Sequence, residues 1–226
     1  MTSFCDAPGK PVVGDLQPRP EAVLAQRPDL VLMAGYASQA PTSAALAALG
    51  LDVRTLPLLT LTDMKTTTLA LGALLHREAA AAAAVAAFAR AVLAAPRGRP
   101  VKTLLVYDVQ PGFVTTTGGG DHIAELAALL GAENVAHGPT TLRLGLERVL
   151  EAAPELILHV APDQRFPSSA AAIAHWSAWP ALPAVARGQV TVWPDDALAR
   201  NGPHLASVVP RLSAIIAAAR ARELRP

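Results

Sequence analysis

Five short apolar runs set the terms on which this chain can fold. Residues 29–33 (DLVLM), 53–56 (VRTL), 102–107 (KTLLVY), 156–160 (LILHV) and 190–193 (VTVW) read as strands. Between them lie helical patterns at 42–49, ended by Gly50, at 123–130, ended by Gly131, and at 145–152, stopped before Pro154. Residues 203–222 read as a terminal helix with Pro203 in its first turn. Strands separated by helices imply parallel sheet and α/β layering.

The middle of the chain breaks the alternation. Residues 63–95 carry no strand signal, only a run typified by ALGALLHREAAAAAAVAAFARAVLAA. Thr60 or Thr62 can cap its start, Pro96 and Gly98 end it, and Gly72 and residues 76–78 are the places where it would divide. The second piece, 77–95, would be roughly 28 Å long at helical rise, about the width of a small lobe. Two readings are open: a surface helix packed on one sheet, or a helix bridging two α/β halves. An internal echo favours the bridge. Residues 21–32 (EAVLAQRPDLVL) and 147–158 (ERVLEAAPELIL) share six of twelve positions, one copy on each side of the helical middle. Each copy reads as a short helix, a proline-marked turn and a buried strand, so the expectation is a pseudo-symmetric pair of lobes rather than a chance likeness. The division expected is an N-terminal lobe over 1–62, a connecting helical segment over 63–96 and a C-terminal lobe over 97–226.

Composition narrows the function classes. With 226 residues the chain suits one large domain or two lobes. It is 52% hydrophobic and 16% charged, which rules out a disordered polar chain. Nineteen basic residues against eighteen acidic ones leave a net charge of +1 with no basic stripe, so nucleic acid is not an expected partner. Many of the 48 alanines accompany an Arg-over-Lys bias (16 against 3), a pattern of GC-rich coding rather than of design. The single cysteine, Cys5, excludes an internal disulfide and a cysteine-based zinc site. No run of 18 uncharged apolar residues exists to span a membrane, and the opening MTSFCDAPGKPVVGD lacks the basic and apolar regions of an export signal.

Catalytic signatures are missing from the sequence. The Gly118–Gly120 run lacks the GK[ST] ending of a phosphate loop, and Asp121 behind it would repel a phosphate; a turn before a helix near His122 explains the glycines. None of the six histidines forms an HxxxH or HExxH pair, so no metal site is expected, and no G-x-S-x-G elbow is present. What remains are groups just beyond strand ends, where ligands of open α/β sheets bind. Tyr36 follows 29–33. Phe113 follows 102–107 after a Gln110–Pro111–Gly112 turn, Asp163 and Gln164 follow 156–160, and Asp196 and Arg200 follow 190–193. Of the three tryptophans, Trp176 is the one expected to reach a ligand, with Trp179 and Trp193 in packing roles.

The ordered set of VVGDLQPRPEAVLAQRPDLVL, LAALGLDVRTLP, TTTGGGDHIAELAALLGAENVA, LERVLEAAPELIL and WPALPAVARGQVTVWPDD with NGPH resembles the substrate-binding proteins of ABC importers for vitamin B12, ferric siderophores and haem. The resemblance spans nearly the whole chain. It implies two α/β lobes with parallel-rich sheets joined by one long helix, a metal-chelate ligand held between them, no catalysis, no cofactor beyond that ligand, a periplasmic or extracytoplasmic location and a monomer. It further implies an ABC-importer permease and ATPase as partners, with Glu21 and Glu147 as the glutamates that dock one lobe each on permease arginines. A helix-start glutamate favoured by the dipole is the plainer account of both. The ligand residues expected are Tyr36, Phe113, Asp163, Trp176 and Arg200, of which Phe113, Asp163 and Arg200 fall at places that match the B12-binding members. Ala34 and Ala197 stand where the B12-binding members place tryptophans, and His204 replaces an arginine. Family members also carry some 40 residues ahead of the matched segment, so the N-terminal lobe is expected to be truncated. The rival from another class is an α/β enzyme or regulator that keeps the fold without transport.

Overall fold

Three helices of this chain start where a side chain takes an orphan N–H group, and these caps punctuate the architecture. The structure is a computed structural model describing residues 18–222. Cys5 and the opening stretch discussed for export lie outside the described residues. The chain divides at Leu58/Leu59 into a small unit and a large one.

The small unit runs helix α1 (Pro20–Leu24), strand β1 (Val31–Ala34), a 3-10 turn (Ala37–Gln39), helix α2 (Ala40–Ala48) and strand β2 (Val53–Leu56). Pro20 occupies the first turn of α1, where its missing N–H leaves no bond unmade. β1 and β2 pair in parallel, Val31 beside Val53 and Ala34 beside Leu56. Val23, Met33 and Leu46 form the buried core, with Val31, Leu51 and Val53 packed against it.

The large unit opens with helices α3 (Leu61–Leu74) and α4 (Glu78–Ala94). Thr60 is the cap: its hydroxyl accepts from Asp63 N–H at 3.0 Å, and the Asp63 carboxylate accepts from Thr60 and Leu59 N–H at 2.9 and 3.0 Å. Those bonds, the Thr60 N–H first, hold the Asp63 carboxyl below its usual range. The helical middle divides at Leu75–Arg77, where His76 turns left-handed at φ +53°. Gly72 lets the two helices cross closely, since a Cβ there would lie 2.4 Å from that of Ala81. α4 packs on the terminal helix α9 described below, so the helical middle groups with the large unit.

Strands β3 (Val101–Gln110) and β4 (Phe113–Thr116) follow, then helix α5 (His122–Leu129), strands β5 (Ala132–Asn134) and β6 (Leu142–Gly145), helix α6 (Leu146–Ala152) and strand β7 (Leu156–His159). Helices α7 (Ser169–Trp176) and α8 (Pro183–Ala186), strand β8 (Val190–Val192) and helix α9 (Leu205–Ala221) complete the unit. The sheet order is β6-β4-β3-β7-β8, with β5 paired to the start of β3. The pairs of β3 with β5 and β7, and of β7 with β8, are parallel; the β3–β4 and β4–β6 pairs are antiparallel. Alternation along β3 feeds two cores: Leu105 faces α5 and α9, while Leu104 and Val106 join Phe166 and Trp176 on the side of α7. Asp121 caps α5 by accepting Ala124 N–H at 2.8 Å and also takes the Tyr107 hydroxyl at 2.8 Å. The glycines before it make a tight turn: Gly119 and Gly120 have φ of +130° and +72°, and a Cβ on Gly118 would meet Pro139 O at 2.6 Å.

The echo survives in three dimensions, with one correction. Val23 and Val149 are both buried, Leu24 and Leu150 are both 41% exposed, and Arg27 and Ala153, each just before a proline, both sit at φ +48°. The strands differ. β7 is buried throughout, whereas Leu32 of β1 is 44% exposed, because β7 lies inside a six-stranded sheet with helices on both faces and β1 is one of two strands.

Candidate functional site

The loops after β7 and β8 and the β3–β4 turn all leave the same edge of the large sheet, because β3, β7 and β8 run parallel. Three expected ligand residues stand on that edge. Phe113 opens β4 beside Gln110, after a Pro111–Gly112 pair in which Gly112 takes φ +85°, as the third position of a type II turn requires. The guanidinium of Arg143, reaching across from β6, sits 4.9 Å from the Phe113 ring centroid. Phe113 is half-buried under the exposed Arg143 and points away from Val114, which belongs to the core on the α7 side.

Asp163 is exposed, but one of its oxygens accepts the N–H groups of Arg165 and Phe166 at 2.7 and 2.6 Å, so it shapes its own loop. Its other oxygen has no hydrogen-bond partner among the described residues. Arg200, in the loop after β8, is paired with Asp196. Asp195 anchors the same loop by accepting Trp193 Nε1–H at 3.0 Å and Ala197 N–H at 2.8 Å. The loop is tied to the starts of α3 and α5 as well: Asn201 donates to Thr60 O at 2.7 Å, and the His122 ring nitrogen meets Leu198 O at 3.2 Å. Burial keeps the His122 imidazole below its ordinary pKa despite that carbonyl.

Trp176 does not reach this edge, and the expectation is corrected. It is 0% exposed and donates its indole N–H to His159 Nε2 at 3.0 Å, inside the core on the α7 side. Its position on α7, four residues after buried Ala172, turns it inward. Burial lowers the His159 pKa to about 4, with Asp163 opposing and His175 adding to the shift. Trp179, read as a packing residue, is the tryptophan that borders a cavity.

In the small unit Tyr36 follows β1 and is 46% exposed. It borders a groove of about 360 Å³ with Gln39, Ser43 and Thr55. Gly35 N–H donates to Leu56 O at 2.7 Å, holding the Tyr36 loop against the end of β2. Glu21 and Glu147 are exposed in the first turns of α1 and α6. Arg143 and Arg165 were not singled out from sequence; each matters through a cross-strand or cross-loop contact that only the β4–β6 register or the fold of the β7 loop creates.

The sequence pattern of one family, described as periplasmic binding protein, matches residues 7–197. The chain belongs to the periplasmic binding protein family. Its fold is that of solved periplasmic binding proteins. The heme-binding protein BhuT, solved with two hemes, is 23% identical with a TM-score of 0.78, covering 94% of this chain and 84% of its own. A periplasmic heme-binding protein from Pseudomonas aeruginosa is 24% identical with a TM-score of 0.74, covering 90% of this chain and 77% of its own. The vitamin B12-binding protein BtuF of Vibrio cholerae is 22% identical with a TM-score of 0.71, covering 92% of this chain and 82% of its own. No curated protein matches the chain. Periplasmic binding proteins of this type are the substrate-binding components of ABC importers and act outside the cytoplasm. They are binding proteins rather than enzymes. Among the described residues no helix is long and apolar enough to cross a membrane.

Proposed function

We propose that this periplasmic binding protein captures a metal chelate, a cobalamin, a ferric siderophore or haem, and delivers it to the permease and ATPase of an ABC importer. The observation that carries the reading is the edge built from Phe113 under Arg143, Asp163 and Arg200: an aromatic face beside charged groups of both signs suits a large, flat or rigid chelate with polar side groups. Tyr36, exposed at the end of β1, is also proposed as a ligand residue. The iron or cobalt arrives with the ligand as cargo, and the protein needs no resident cofactor of its own. The protein works as a monomer.

The direct test offers haem, cobalamin and a ferric hydroxamate to the purified protein and reads absorbance and native mass. Stoichiometric, saturable binding of one class supports the proposal, and Phe113→Ala weakens it by about tenfold if the ring carries a stacking contact. Failure of all three classes to bind refutes it. Glu21 and Glu147 are proposed as the permease contacts. Charge-assisted contacts to arginine contribute about 1.5–3 kcal/mol each. The double alanine variant therefore binds ligand normally and loses transport; unchanged uptake refutes the docking role.

A further inference from the structure

A second cavity of about 380 Å³ lies in the large unit on the α6–α7 side of the sheet. Pro111 of the β3–β4 turn, Leu146 at the start of α6, Arg165 of the β7 loop, and His175 and Trp179 at the end of α7 border it. Phe113 does not border it, although the β3–β4 turn and the β7 loop that do also carry the chelate edge.

Its chemistry is specific. Trp179, Pro111 and Leu146 form an apolar wall. Arg165 donates through Nη1 to Val109 O, which fixes its guanidinium at the rim, and it pairs with no carboxylate among the described residues. His175 packs against Trp179 with ring centroids 5.5 Å apart and edge-on to Phe166 at 5.3 Å, so its ring is held in place. Its Nε2 is nevertheless enclosed without a hydrogen-bond partner. Burial, and then the neighbouring Arg165 charge, lowers its pKa and keeps the imidazole neutral. A guanidinium without a carboxylate partner among the described residues, set beside an indole wall, is complementary to one ligand class.

We propose that this cavity is a second small-molecule site, taking a compact aromatic monocarboxylate. The ring lies against Trp179 and Pro111, and the carboxylate meets the Arg165 guanidinium. The association is non-covalent, and Phe113, Asp163 and Arg200 do not border the cavity.

The test titrates the full chain with benzoate and, separately, with benzyl alcohol, following saturation-transfer NMR and tryptophan fluorescence. The expected result is saturable benzoate binding at least tenfold tighter than that of the alcohol. Arg165→Gln lowers benzoate affinity by about tenfold or more, as loss of a charge-assisted contact does, and leaves benzyl alcohol unchanged. Absence of saturable benzoate binding overturns the proposal. So does equal affinity for acid and alcohol, or an Arg165→Gln protein that is folded by circular dichroism and binds benzoate as the parent does.

Discussion

Mild acid destabilises the large unit through one buried imidazole. His159 accepts the Trp176 indole N–H at Nε2, is 1% exposed, and has its pKa lowered to about 4, chiefly by burial. In the unfolded chain the value returns to about 6.5. The unfolded state therefore takes up the proton first, and stability that is full above about pH 6.5 falls as the pH drops and levels off below about pH 4. For these two values the linkage amounts to about 2 kcal/mol at about pH 5 and about 3 kcal/mol at about pH 4. His159→Gln isolates this contribution, because its amide oxygen reaches the place of Nε2 and does not ionise. All three tryptophans, Trp176, Trp179 and Trp193, lie in the large unit, so urea unfolding read by their fluorescence follows that unit. His122 and His175 are also held below their ordinary values, and they remain in both proteins and cancel in the comparison. Between about pH 7 and about pH 5 the parent should lose about 2 kcal/mol more than the variant. Equal losses would show that His159 is not held neutral by its surroundings and would refute the argument.

Glu155 is the counterpart among the carboxylates: 9% exposed, it takes a two-pronged contact from Arg99 at 2.9 and 3.0 Å, Lys102 N–H at 3.0 Å and Arg187 at 3.4 Å. Burial raises its pKa, but the Arg99 and Lys102 hydrogen bonds and the two arginine charges outweigh it and leave a net lowering. Glu155→Ala should cost about 2–3 kcal/mol in urea unfolding at neutral pH, below the full value of a buried pair because both arginines are partly exposed. That difference holds above about pH 4.3, the unfolded carboxyl's value, and shrinks as the pH falls through the lowered folded value. Gly72→Val should cost about 1–3 kcal/mol by forcing α3 and α4 apart, seen as a lower thermal midpoint, whereas Gly145→Ala, with open space at its Cβ, should be nearly silent.

Much of the large sheet was legible because its central strands are long or wholly apolar. β3, β7 and β8 each begin at or one residue before the expected start, and all the helices expected around them form. β4, β5 and β6 were not read as strands. Phe113–Thr116 runs into the threonines and glycines of a turn, Ala132–Asn134 has three residues, and Leu142–Gly145 is half-exposed at the sheet edge. Their strand character comes from pairing with β3 and with each other, a long-range effect that periodicity does not report. The Phe113–Arg143 contact was hidden for the same reason, since it depends on β4–β6 pairing. Trp176 is a different case: the spacing from Ala172 to Trp176 is that of one helix face, and weighting the helix period above the attraction of an aromatic group near a strand end places it in the core.

The two copies of the echo separate what local sequence decides from what the surrounding fold decides. Shared residues produce shared local structure: the same buried valine, the same half-exposed leucine and the same left-handed residue before proline. Arg27 and Ala153 have nothing in common as side chains, so the φ of +48° belongs to the helix end and the proline that follows rather than to the residue. Burial of the strand does not follow the repeat, and neither does the acid that precedes it. Asp29 is exposed where Glu155 is buried among arginines. The exposure of Glu21 and Glu147 falls on the local side of this division. Each stands two residues before the buried valine of its helix, and two residues at about 100° apiece turn a side chain to nearly the opposite face. Whatever packs against either unit, a helix that buries Val23 or Val149 holds its first glutamate out to solvent. A partner that reads the pair is therefore reading a consequence of helix geometry common to both copies.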